Sequence, residues 1–172
     1  PSTSSAASDV YKRQDHKAFS APLFYRGFPK SCCTSTNHVV CHGIPSEKEL
    51  KEGDIVNVDV TAVKDGWHGD TSRTFEIGEV SIKAKKLVKV TYEAMMKAIK
   101  IVKEDIHLGD IGATIQKHVE AEGFSVVQDF CGHGIGEVFH KEPNVLHYGE
   151  SGSGEKVKAG MIFTIEPMIN LG

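Results

Sequence analysis

Between residues 55 and 77 the apolar and polar positions alternate with a period of two. In IVNVDVTAV (55–63), Val56, Val58, Val60 and Ala62 share one face, while Asn57, Asp59 and Thr61 share the other. That alternation and the β-branched content predict a strand. Asp65-Gly66 is a hairpin signal, and WHGDTSRTFEI (67–77) reads as the returning strand. The pattern then changes. Over 82–104, Ala84, Leu87, Val88, Met95, Ala98, Ile99 and Val102 recur at helical spacing. A second helix is predicted over 110–122, with Asp110 as its N-cap and Gly123 as its stop. Residues 124–131 and 161–166 read as strands, separated by a glycine- and charge-rich stretch at 149–160. A hairpin, two helices and further strands make an α+β pattern with no short internal repeat and no phosphate-binding glycine motif.

Composition narrows the class without naming it. The 172 residues are 40% hydrophobic and 25% charged, the mix of an ordinary globular domain long enough to bury a core without disulfides. Twenty Lys and Arg against 23 Asp and Glu leave a formal charge of -3, so no general attraction to nucleic acid or to an anionic membrane is expected. No apolar run reaches the roughly 18 residues of a membrane span. Cys32, Cys33, Cys41 and Cys131 contain no CxxC pair, which argues against a disulfide framework and a thiolate zinc site and suits a reducing cytoplasm. Residues 1–14 (PSTSSAASDVYKRQ) carry no periodic apolar pattern. They are expected to be a foreign or disordered tail ahead of a domain over 15–172, and the start at Pro1 and the stop at Gly172 are expected to mark truncation.

The chemistry begins with two aspartates. A two-residue turn at Asp65-Gly66 sets residue 61 opposite 70 and residue 59 opposite 72. Asp59 and Asp70 then become same-face diagonal neighbours, with backbones roughly 7–8 Å apart. Carboxylates this close either share a cation or force a proton onto one of them. Capping a turn or pairing with Arg73 is the alternative for either one. In CGHGIGEVFH (131–140), glycines frame His133 and His140 follows, a frame that permits close backbone approach. In MIFTIEPMIN (161–170), Glu166 interrupts an apolar run, where a carboxylate is costly unless paired or metal-bound. Pro167 holds Glu166 extended and marks a strand end or edge. Three carboxylates and one imidazole suit a divalent Mn, Fe, Co or Zn ion. A bridging carboxylate suggests two ions about 3.5–4 Å apart. Cys41 and His42 are adjacent, so as strand neighbours they point to opposite faces and form no thiol dyad.

These motifs match a family. NHVVCHGIPSEKELKEGDIVNVDVTAVKDGWHGDTSRTF, CGHGIGEVFHKEPNV and GMIFTIEPMIN, in that order and spacing, resemble the type I methionine aminopeptidases from about Tyr25 to Asn170. The resemblance implies the pita-bread fold, a curved antiparallel sheet backed by helices, here incomplete at its ends. It implies removal of the N-terminal methionine from nascent peptides in the cytoplasm, by a monomer that works near the ribosome. It also implies two divalent ions (Co, Mn, Fe, Zn or Ni) held by Asp59, Asp70, His133 and Glu166, with Asp70 contacting both. By the same resemblance His42 and His140 contact the scissile amide, Glu166 relays a proton, and Tyr25, Phe28, Cys33 and Phe139 line the methionine pocket. For those four, plain core packing is the alternative. Family members carry one more bridging glutamate downstream of the Glu-Pro motif, and this chain ends before it, so weak or absent activity is expected of the chain alone. A prolidase-type peptidase and a metal-free binding module are the rival readings. The short HGIGEVFH segment and the GDTSRTF strand speak against the first, and four intact ligands against the second.

Overall fold

The structure is a computed structural model that describes residues 13–172, so the expected tail lies outside the described residues except for Arg13 and Gln14. The described chain divides into two units. The first holds residues 13–80 and Gly136–Phe139, and the second Ser81–Ile135 with His140–Gly172.

The first unit is built on β1 (Phe19–Ser20), β2 (Cys33–Thr36), β3 (Ile55–Lys64) and β4 (Trp67–Glu76). β4 pairs antiparallel along the full length of β3, and β1 and β2 pair with the other edge of β3. The hairpin turns where the sequence signals it. Asp65 and Gly66 have φ of 51° and 84°, the two left-handed residues of a turn whose twist matches the flanking strands. The ladder runs from Lys64↔Trp67 to Ile55↔Glu76 without a slip and sets Thr61 opposite Asp70 and Asp59 opposite Ser72. Both faces of β3 are covered in part: Val56 is 5% exposed and Thr61 2%. The Arg13 guanidinium donates to the Thr61 carbonyl at 2.6 Å.

The second unit is built around two helices, α1 (Ile82–Ile101) and α2 (Leu108–Ala121). The Ser81 hydroxyl caps α1 by accepting from the Ala84 N–H at 3.2 Å. The helix stops short of residue 104 because Val102 turns extended. Its fully buried ridge is Val90, Ala94 and Ala98. The predicted stripe lay slightly to one side: Ala98 is in the ridge, Leu87, Val88 and Met95 are half-buried, and Ile99 is exposed. α2 begins two residues before the predicted Asp110, with His107 as N-cap. Its first turn fits against the 146–153 segment only because Gly109 and Gly112 lack side chains. A β-carbon there would collide with Ser153 or with the Tyr148 backbone. Gly123, at φ 81°, ends the helix as expected. Leu108, Ile111, Ile115 and Val119 close the core with the α1 ridge, Val145 and Val157.

Four short strands complete this unit. β5 (Ser125–Val126) pairs with β8 (Ile169–Asn170), and β6 (Gly132–Gly134) pairs with β7 (Lys141–Val145). The strand expected over 124–131 shrinks to β5. The strand expected over 161–166 forms no ladder at all and touches β6 through one bridge, Gly134 with Phe163. β6 is its partner edge, but the pairing is short: the Ile135 N–H donates to the Ile162 carbonyl at 3.1 Å and the Thr164 N–H to the His133 carbonyl at 2.9 Å, too few bonds for a full ladder. Among the described residues no helix is long and apolar enough to cross a membrane.

Asp110 occupies the third position of α2 instead of capping it. Its carboxylate accepts from the His107 N–H at 2.8 Å, from the Gly152 N–H at 2.8 Å and from the Ser151 hydroxyl. These bonds, the Ser151 hydroxyl first, hold its pKa below the ordinary carboxylate value. A depressed pKa gives stability that is present above the unfolded value and lost as pH falls through the folded one. Asp110→Ala is therefore expected to cost about 1 kcal/mol at neutral pH, and the difference from the parent should fade below about pH 4. Urea unfolding of both proteins at the two pH values checks this, and a difference that persists in acid would assign the effect to packing.

Candidate functional site

The residues singled out in the sequence fall into one group in each unit. In the first, the hairpin register puts Asp59 and Asp70 on one face, as side-chain parity requires. The Thr61 hydroxyl donates to Asp70 Oδ1 at 2.8 Å, which fixes the rotamer of that carboxylate from the residue directly across the ladder. Cys33 lies opposite Asp59 on β2 and is 6% exposed. Burial, aided by the Asp59 charge, pushes its thiol up to about 12. It therefore stays a neutral thiol, unsuited to bind metal or attack as a thiolate. Native protein at neutral pH is expected to leave Cys33 unlabelled by iodoacetamide while the unfolded chain is labelled, and peptide mass mapping reads the difference. Rapid native labelling would refute the neutral-thiol assignment.

Around the same unit lie the aromatic residues. Tyr25 opens a single 3-10 turn, Tyr25–Gly27, and Phe28 closes it by donating its N–H to the Tyr25 carbonyl at 2.9 Å. The Tyr25 and Phe139 ring centroids are 4.9 Å apart, and Phe139 stacks on His68 at 5.5 Å. Both the backbone N–H and ring Nδ1 of His68 meet the Gly136 carbonyl at 2.8 Å, so Nδ1 carries the proton and anchors the segment bearing Phe139. His42 is exposed, at φ 53°. The next residue, Gly43, accepts from the Thr34 N–H at 2.9 Å, which ties this segment to β2.

In the second unit, β6 and the 164–167 segment bring His133, His140 and Glu166 together. His133 is 8% exposed. Its glycine frame is required by space, since a β-carbon at Gly132 or Gly134 would collide with the Thr164 or Glu142 carbonyl oxygen. Ring Nδ1 lies 3.0 Å from the Gly134 carbonyl, so Nδ1 is the donor and Nε2 keeps its lone pair. Nε2 stands 3.5 Å from Glu166 Oε1. Thr164 ties the pair together: its Oγ1 accepts from the His133 N–H at 2.9 Å and donates to Glu166 Oε1 at 2.5 Å. The exposed His140 ring lies 4.2 Å from the His133 ring. Glu166 is half-buried in extended chain, not inside an apolar strand. Its charge and burial raise the Cys131 thiol pKa, burial first.

Four contributors escaped the sequence reading: Thr61, Thr164, His68 and His147. The two threonines had a signal, since each lies two residues along an extended segment from a candidate carboxylate and so shares its face. His68 and His147 had none, because their partners are 68 and 19 residues away.

A carboxylate held by a hydroxyl, and an imidazole locked by a backbone carbonyl, are donor sets of the kind metallohydrolases use. The fold is the pita-bread fold of metallopeptidases. The chain belongs to metallopeptidase family M24, whose family model matches residues 2–172. It is 60% identical over 157 residues to a methionine aminopeptidase of Rickettsia prowazekii, covering 91% of this chain and 61% of the relative. A crystal structure of methionine aminopeptidase from the same organism matches with a TM-score of 0.93 at 58% identity, over 95% of this chain and 66% of that one. The prolidase from Pyrococcus furiosus shares the fold at a TM-score of 0.70 and 21% identity, over 80% of this chain and 44% of that one. The chain spans about six-tenths of the length of the curated relatives it matches.

Proposed function

We propose that residues 15–172 supply the core of a metal-dependent aminopeptidase that hydrolyses the first peptide bond of chains beginning with methionine. The observation that carries the reading is the His133 arrangement, with Nδ1 held by the Gly134 carbonyl and Nε2 turned to Glu166 Oε1 at 3.5 Å. The 60% identity to a methionine aminopeptidase names the substrate class. In this proposal Asp59, Asp70, His133 and Glu166 hold two divalent ions, of Co, Mn, Fe, Zn or Ni, and Asp70 contacts both. The donors fit such ions: oxygen and imidazole ligands, of which Asp70, His133 and Glu166 are already oriented by a neighbouring hydroxyl or carbonyl. When bound, the ions supply Lewis acidity and a lowered water pKa.

The protein's own groups do the rest. Glu166, oriented by the Thr164 hydroxyl at Oε1, takes a proton and returns it to the leaving amine. His140, seven residues past His133, donates a ring N–H to the oxygen on which charge develops. His42 contacts the scissile amide. Tyr25, Phe28, Cys33 and Phe139 receive the methionine side chain, and a neutral Cys33 thiol among aromatic rings suits a thioether better than a charge. The proposal includes nascent N-terminal peptides as substrates, a cytoplasmic setting, proximity to the ribosome and a monomeric state.

The test is methionine release from a Met-Ala-Ser peptide by the full-length protein with Mn or Co, beside an Xaa-Pro peptide. Release from the first, lost on chelation, is expected. Cleavage of the Xaa-Pro peptide alone would move the protein to the prolidase side of the family.

A further inference from the structure

We infer that His147 is a positioning residue that holds the Glu166 backbone in the place where its carboxylate meets metal. The inference rests on the reading of Glu166 as a ligand. His147 is fully buried, at 0% exposure. Its Nε2 accepts the Glu166 backbone N–H at 3.1 Å, so the ring proton must sit on Nδ1. Among the described residues that Nδ1 has no hydrogen-bond partner. A buried unpaired donor costs about 1–3 kcal/mol, and a leucine or phenylalanine at the same position would avoid the cost. An unsatisfied polar atom in a core therefore needs an explanation beyond packing. The acceptor at Nε2 supplies it.

Glu166 needs such a partner because the pairing of its segment with β6 reaches Thr164 and goes no further. The segment's backbone bonds to β6 are the Ile135 N–H to the Ile162 carbonyl at 3.1 Å and the Thr164 N–H to the His133 carbonyl at 2.9 Å, around the Gly134–Phe163 bridge, and Pro167 has no N–H to contribute. The peptide that carries the Glu166 side chain is thus tied down through His147. His147 in turn follows Val145, which is 0% exposed, at the end of β7. From the other side, Thr164 Oγ1 reaches Glu166 Oε1. One contact sets the backbone and the other sets the carboxylate.

The test compares Mn or Co affinity by calorimetry for the parent protein, His147→Leu, His147→Gln and Glu166→Gln, with the cobalt absorption spectrum as a second readout. His147→Leu keeps the volume and removes the acceptor. It is expected to weaken metal binding about 10–100-fold and to alter the cobalt spectrum, with little net change in thermal stability, since the Glu166 N–H loses its acceptor as the unpaired Nδ1 donor is removed. His147→Gln, whose Oε1 can accept the same N–H, should recover affinity to within a few-fold. Parent-like affinity and spectrum in His147→Leu would overturn the inference while leaving the reading of Glu166 intact, provided Glu166→Gln loses metal. If Glu166→Gln also binds as the parent does, both fall. If His147→Leu fails to fold, nitrogen-15 spectra of the parent's imidazole decide. A proton on Nδ1 with a bare Nε2 supports the inference, and a proton on Nε2 ends it.

Discussion

Asp70→Asn in the full-length protein is expected to lower kcat/KM on methionyl peptides by about a thousandfold and to reduce bound metal from two ions to one or none. The substitution isolates charge. An asparagine Oδ1 can still accept the Thr61 hydroxyl that now meets Asp70 at 2.8 Å, and position 70 keeps its place opposite Thr61 in the ladder. Fold and register should therefore survive. What is lost is the negative charge proposed to compensate both cations, and metal stabilisation of developing charge is worth several kcal/mol, where each about 1.4 kcal/mol is tenfold in rate. Metal analysis of the purified protein and the peptide assay read the two effects separately. Thr61→Val, which leaves the carboxylate but removes its anchor, should give a smaller loss, about 10–100-fold in metal affinity. Two ions bound and a parent-like rate in Asp70→Asn would strike Asp70 from the ligand set.

His140→Ala is expected to lower kcat about 10²–10³-fold while metal content stays at the parent level. Its ring lies 4.2 Å from that of His133, close enough to reach a substrate atom held at the same place. Gly134, Thr164 and His147 supply hydrogen bonds that orient His133 and Glu166. His140 is also exposed, so truncating it opens no cavity. A group that acts on the transition state shows itself in kcat more than in ground-state binding. Stoichiometric loss of metal, with normal turnover when metal is resupplied, would reassign His140 as a ligand. The two substitutions thus separate holding the ions from stabilising the reaction, and together they test the division of labour between hairpin and histidine segment.

The two carboxylates of the hairpin could be placed from the chain alone because every determinant is local. Alternation sets which residues share a face, and Asp65-Gly66 sets the turn. Two left-handed residues then set the register, and Asp59 and Asp70 follow without reference to anything distant. The glycine frame of His133 was legible for a related reason. A backbone that must pass close to the Thr164 and Glu142 carbonyls leaves its mark as missing side chains.

The helix starts and the last segment show the opposite case. Asp110 looks like an N-cap, but the chain enters α2 at His107, because Gly109 and Gly112 let it lie against the Ser153 and Tyr148 backbones. The buried ridge of α1 is Val90, Ala94 and Ala98, since the helix turns the face that the α2 side chains can fill. Residues 161–166 have strand character but pair with β6 only around Phe163, and the Glu166 N–H goes instead to a fully buried imidazole 19 residues earlier. By itself the sequence determined the hairpin, its register, the identity of the candidate donors and the family. Only the tertiary structure decided how those donors are oriented, because a hydrogen bond between residues 19 or 68 positions apart leaves no period or spacing in the chain.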